Sequence, residues 1–166
     1  LAIRKLADQF AKENVILTEF KLIPEIDLDS QNKVIYKIIK SKRNPVAVHI
    51  RRGDFIQNEG GQAVVLTFFI SAINKMETLC QDPFFFIFSD DIKWCKTNLT
   101  SANLLFADIN DERNGYKDLF LAAQCKHFIL TQASTFGHQI LELNNNEENR
   151  IVIKSKDQDK LRNQNS

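Results

Sequence analysis

The chain has 166 residues, 43% of them hydrophobic and 26% charged, with a net charge of +1. That length suffices for one domain with a sizeable core, and the near-neutral balance excludes a protein built to wrap nucleic acid, which needs a large basic surplus. No apolar run approaches the roughly 20 residues of a membrane-spanning helix, and thirteen phenylalanines against two tyrosines and one tryptophan point to a densely apolar interior.

Leu1 opens into a charged amphipathic stretch rather than a signal peptide, and a start without Met leads us to expect a fragment of a longer protein. Ile3, Leu6, Ala7 and Phe10 recur at helical spacing, and Val15 to Phe20 reads as a short strand. Ile35, Ile38 and Ile39 mark a second helix, stopped by the polar break Lys40-Ser41-Lys42-Arg43-Asn44-Pro45. An alternation follows. Val46 to Ile50 is a buried strand, and Val65, Phe68, Phe69, Ala72, Met76 and Leu79 keep one face of a helix. Phe84 to Phe88 is apolar on both faces, as central parallel strands are. Ile92 to Leu99 reads as a short helix, Leu104 to Phe106 as a strand, Tyr116 to Gln124 as a helix and Phe128 to Leu130 as a strand. Thr135 to Leu143 is helical and Ile151 to Ile153 closes the series, with Asn144 to Asn149 a polar loop. Strands alternating with helices predict an α/β fold with a doubly wound parallel sheet. Cys80, Cys95 and Cys125 are far apart and odd in number. They suit neither a disulfide framework nor a zinc knuckle and read as reduced core thiols, which favours a cytosolic setting.

In open parallel sheets, ligands bind beyond the carboxyl ends of the strands. Three such ends carry polar groups. His49-Ile50-Arg51-Arg52-Gly53-Asp54 follows the first central strand; adjacent arginines there cannot share a direction, so one faces the crevice while the other braces the loop. A guanidinium fork matches phosphate oxygens in a bidentate way. The alternative is a surface ion pair among Arg51, Arg52 and Asp54, and the tripeptide Arg52-Gly53-Asp54 is a coincidence of spelling behind a buried strand. Ser89-Asp90-Asp91 ends the next strand and offers carboxylates for a ribose hydroxyl or a guanine N–H, or simply a helix cap. Thr131 to His138 brings hydroxyls and amides to a helix start, either a phosphate seat or an ordinary cap by Ser134 or Thr135.

His49-Ile50-Arg51-Arg52-Gly53-Asp54-Phe55 resembles the His-x-Arg-Arg-x-Asp motif of α-1,2-, α-1,6- and protein O-fucosyltransferases. Phe86 to Trp94 resembles the second block of the bacterial α-1,2-fucosyltransferases, glycosyltransferase family 11, and Tyr116 to Leu121 with Gln124 to His127 resembles the third. The three blocks keep the family's order and spacing over about residues 45 to 142. Two departures stand out. Thr135-Phe136-Gly137-His138-Gln139 replaces the Trp-Trp pair of bacterial members and is closer to the α-1,6 type, and the early Gly-Gly-x-Gly-Asn-Gln block is missing.

The resemblance implies a Rossmann-like donor-binding domain of a GT-B glycosyltransferase over residues 45–153. Residues 1–44 would be a helical remnant of, or link to, an absent acceptor domain, and 154–166 a disordered polar tail. It implies transfer of L-fucose from GDP-β-L-fucose to a galactose-terminated glycan, in α-1,2 linkage with inversion, without a bound metal or other cofactor and without nucleic acid as partner. Arg51 would contact the β-phosphate and Arg52 would support the loop. His49 and Asp91 would lie near the guanine with Asp90 beside them, Asp54 would orient the arginines or fucose or act as base, and Ser134 and Thr135 would floor the phosphates. His138 reads equally as a phosphate contact or a cap, His127 as structural and Trp94 as packing. The expected location is the cytoplasm, peripheral to the inner membrane in a bacterium, or the Golgi lumen in a eukaryote. Asn98-Leu99-Thr100 is a glycosylation sequon that matters only on a secretory route.

Overall fold

The computed structural model describes residues 17–18, 21–22, 28–52, 61–131 and 134–155. The helix expected over Ile3 to Phe10 lies outside the described residues, as do Gly53, Asp54 and residues 156–166 of the expected tail. Of the stretch Val15 to Phe20, Leu17–Thr18 forms β1, paired antiparallel with β2 (Lys21–Leu22).

The body of the fold is α1 (Ser30–Ser41), β3 (Asn44–Ile50), α2 (Gly61–Leu79), β4 (Pro83–Ser89), α3 (Ile92–Asn98), β5 (Leu104–Phe106), α4 (Gly115–Ala123), β6 (His127–Leu130), α5 (Thr135–Leu143) and β7 (Val152–Lys154). The five strands β3 to β7 form one sheet in the order β5-β4-β3-β6-β7, every neighbouring pair parallel. This is the doubly wound α/β sheet expected from the sequence.

Side chains alternate across that sheet, and apolar side chains of the helices cover both faces. Val46, Val48 and Ile50 of β3 join Phe85, Ile87 and Ile129 against Phe69, Ala72, Ile73 and Met76 of α2 and Cys95 of α3. Ala47, Phe86, Phe88, Phe128 and Leu130 face the other way, against Ile35 and Ile39 of α1, Leu119, Phe120 and Ala122 of α4, and Ile140 of α5. Burying each such aliphatic or aromatic side chain contributes about 1.5–3 kcal/mol, which is why strands of continuous apolar sequence sit centrally. Residues 30–41 thus share the core of the sheet.

Two details differ from the periodic reading. Leu79, expected on the inward face of α2, is 48% exposed. At 3.6 residues per turn, the stripe Phe69–Ala72–Met76 comes round next at position 80, and half-buried Cys80 takes that place. The β6–β7 ladder also continues past residue 153, with Lys154 paired to Leu130 and the Ser155 amide donating to the Leu130 carbonyl at 3.1 Å.

The amino ends of the strands are tied by buried Asn44. Its Nδ2 donates to the Gln81 carbonyl at 2.5 Å, and its Oδ1 accepts from Lys126 Nζ at 3.1 Å. The same Oδ1 lies 3.4 Å from His127 Nε2, while His127 Nδ1 accepts the Ile151 amide at 3.0 Å. An acceptor at Nδ1 leaves the proton on Nε2, so His127 is a neutral, structural histidine. No helix among the described residues is long and apolar enough to cross a membrane.

Candidate functional site

From β3 the chain winds outward twice, through β4 and β5 on one side and β6 and β7 on the other. The crevice at the carboxyl ends of β3 and β6 is therefore the point where strand order reverses, the place where such sheets bind ligands. Thr131 closes the seam there. Its amide and hydroxyl both donate to the His49 carbonyl, each at 3.2 Å, and the hydroxyl oxygen accepts the Arg51 amide at 3.1 Å.

The two arginines part as their adjacency requires. Arg51 is exposed, whereas Arg52 is 5% exposed. Arg52 pairs with Asp91 Oδ2, its guanidinium carbon lies 4.1 Å from the centre of the Trp94 ring, and its amide donates to Asp90 Oδ1 at 2.9 Å. Asp91 also caps α3, accepting the Trp94 amide on Oδ1 at 3.2 Å. Ser89 completes the staple, donating to the Ile50 carbonyl at 2.7 Å and accepting the Asp91 amide at 3.0 Å. Asp91 thus both caps α3 and pairs with Arg52, each of its oxygens holding one partner within the protein.

His49 is 6% exposed, its ring stacked on Phe136 of α5 with centroids 4.5 Å apart. Burial lowers its pKa to about 4; the Asp90 carboxylate opposes that shift and the Arg51 guanidinium adds to it. The imidazole is neutral at pH 7, with the charges of Arg51 and Asp90 both within electrostatic reach. Its Nδ1 is buried with no hydrogen-bond partner among the described residues, and a buried polar atom left unpaired costs about 1–3 kcal/mol.

Ser134 is the N-cap of α5, its hydroxyl accepting the Gly137 amide at 3.4 Å. Thr135 and His138 are exposed in the first turn of the same helix. The crevice end thus gathers His49, Arg51, Asp90 and the first turn of α5, with Arg52 and Asp91 packed behind, while Asp54 lies outside the described residues. Among the described residues no group of three or more His, Cys, Asp or Glu side chains is placed to hold a metal ion. Sequence reading passed over Thr131 as one hydroxyl in a polar run, Phe136 as a departure, and Trp94 as packing. Each acts through a partner distant in sequence, so only the run of hydroxyls beside a strand end hinted at any of them.

The profile of glycosyl transferase family 11 matches residues 11–166. The chain is 29% identical over 130 residues to a galactoside 2-alpha-L-fucosyltransferase SEC1 of Bos taurus, covering 74% of this chain and 35% of that protein. It is 32% identical over 101 residues to a galactoside alpha-(1,2)-fucosyltransferase 1 of Saimiri sciureus, covering 57% and 27%. The chain therefore spans about a third of the length of these curated relatives, or less. Among solved structures, its fold is similar to that of NodZ alpha-1,6-fucosyltransferase soaked with GDP-fucose, with a TM-score of 0.51, 18% identity and coverage of 74% of this chain and 42% of that one. It is also similar to POFUT1 in complex with GDP, at TM-score 0.50 and 16% identity, covering 75% and 46%. The match over residues 11–166, on a doubly wound sheet shared with solved fucosyltransferases, places this chain in glycosyltransferase family 11.

Proposed function

We propose that this chain is the donor-binding part of a fucosyltransferase that moves L-fucose from GDP-β-L-fucose to a galactoside hydroxyl, forming an α-1,2 linkage with inversion. The supporting observation is Arg51: an exposed guanidinium at the switch point, its own amide pinned by Thr131 and the next residue stapled to the β4–α3 turn. A guanidinium carried on that pinned backbone would meet the negative charge that grows on the β-phosphate as the glycosidic bond breaks; such donors are typically worth about 3 kcal/mol each. The amides of the first turn of α5 add a partial positive charge nearby.

The unpartnered Nδ1 of His49 and the Asp90 carboxylate are the groups we assign to the nucleoside. Asp91, its side chain 35% exposed, caps α3 and pairs with Arg52 and still keeps lone pairs to accept from the nucleoside. Ser134 contributes through the helix start that it caps, and Thr135 and His138 face the same end. The acceptor hydroxyl attacks from the face opposite GDP, through an oxocarbenium-like transition state. Asp54 is the local candidate for a base that takes its proton.

Calorimetry with GDP against ADP, followed by transfer of labelled fucose to a galactoside, tests this reading. Clear preference for GDP with transfer is expected; equal indifference to both nucleotides would refute it. The alternative reading is a GDP-sugar-binding unit without transfer. It predicts the same GDP preference and no labelled product.

A further inference from the structure

We propose that Trp94 is a positioning residue for the crevice arginine. Its indole face, with the Asp91 carboxylate, fixes the Arg52 guanidinium and thereby the backbone that presents Arg51. This deepens the donor-site reading and rests on it.

The geometry forms a closed ring of contacts. Arg52 lays its guanidinium over the indole and pairs with Asp91 at its edge. Asp91 is itself held by the Trp94 amide and by Ser89, which reaches back to the Ile50 carbonyl. The Arg52 amide returns to Asp90. Residues 50 and 52 are thus both fixed to the β4–α3 turn, and residue 51 is fixed by Thr131 on the opposite side. A planar cation is required, because only a guanidinium can stack by its face and pair by its edge at once. With Arg52 released, the strand end would sample other conformations, and the ligand would have to order it on binding. The loss would therefore appear as weaker affinity, beyond any loss of stability.

Trp94 is the sole tryptophan, so its fluorescence reports the stack in the unliganded protein. Arg52→Met should alter the indole emission, and unchanged emission would overturn the stack. By calorimetry, Trp94→Leu should bind GDP about tenfold more weakly, while Trp94→Phe, which keeps an aromatic face, should stay within about threefold of wild type. A Leu variant that binds as wild type does, or a Phe variant as weak as Leu, would overturn the Trp94 role. Should Trp94→Leu fail to fold, Arg52→Lys carries the same test: it keeps the charge, loses the plane and should show the same loss, and wild-type affinity there sinks the proposal. Wild-type protein that ignores GDP would overturn the donor-site reading itself, whereas wild-type binding with indifferent variants overturns only the role of Trp94.

Discussion

The hydroxyl of Thr131 joins the ends of β3 and β6, accepting the Arg51 amide at 3.1 Å while donating to the His49 carbonyl at 3.2 Å. The isosteric Thr131→Val keeps the volume and removes both bonds. A buried hydroxyl bond of this kind is worth about 1 kcal/mol. With two such bonds lost, the variant should lose about 2 kcal/mol of stability in urea unfolding and bind GDP less tightly, because the Arg51 backbone is no longer pinned. Unchanged stability together with unchanged affinity would show that the seam is held by other means.

The neighbouring arginines should behave as opposites. Arg51→Ala removes an exposed side chain, so thermal unfolding should shift little while GDP binding and transfer collapse. Arg52→Ala removes a buried cation from a carboxylate 35% exposed and from an aromatic face, and should cost about 2 kcal/mol of stability. Turnover close to wild type in Arg51→Ala would refute its placement at the phosphate.

Stability should depend on pH through two groups of opposite sense, buried His49 and half-buried Asp118. Burial holds the His49 imidazole at about 4, against 6.5 in the unfolded chain. Between these values the unfolded state binds a proton that the folded state refuses, so stability rises with pH across that window and is lost as pH falls through it. Asp118 of α4 runs the other way. Burial raises its carboxyl from 3.8 to about 7, with the nearby Asp108 charge adding and the Asn110 amide, 2.6 Å away, opposing. The folded state there keeps a proton the unfolded state has released, so stability falls as pH rises across that interval. Asp118→Asn removes this second dependence while leaving an oxygen for Asn110. The variant should be more stable than wild type by about 4 kcal/mol near pH 8 and close to it near pH 4. Urea titrations at both values check this, and a constant offset would show that the carboxyl does not titrate as stated.

Asn44 lies at the opposite end of the sheet from the crevice. Asn44→Ala leaves the Gln81 carbonyl, Lys126 and His127 without their shared partner. It should cost about 2 kcal/mol of stability with GDP affinity unchanged, and a loss of affinity without a loss of stability would contradict a purely structural hub.

The layout of the sheet was legible because its strands are written in runs such as Phe84 to Phe88 and Val46 to Ile50, apolar at both parities, and such runs belong only where both faces are covered. Element ends blurred where side chains do not report pairing. Lys154 lies in an edge strand, and its charge hides a ladder held by the backbone. Leu79 is apolar yet turned to solvent because helical phase, not composition, decides the face.

At the site, amino-acid sequence by itself determined that two guanidinium groups, a histidine and two carboxylates end neighbouring strands, and that adjacent arginines must diverge. Which side chains hold Arg52 inward was decided only by tertiary structure. Trp94 and Asp91 lie about forty positions from Arg52 along the chain, and their contact exists only because β3 and β4 pair in register from Asn44 to Ile50. Phe136 against His49 depends likewise on β6 lying beside β3. Local pattern sets what each strand end carries; long-range pairing sets which of those groups touch, because that contact energy is realised only after the intervening chain has been folded away.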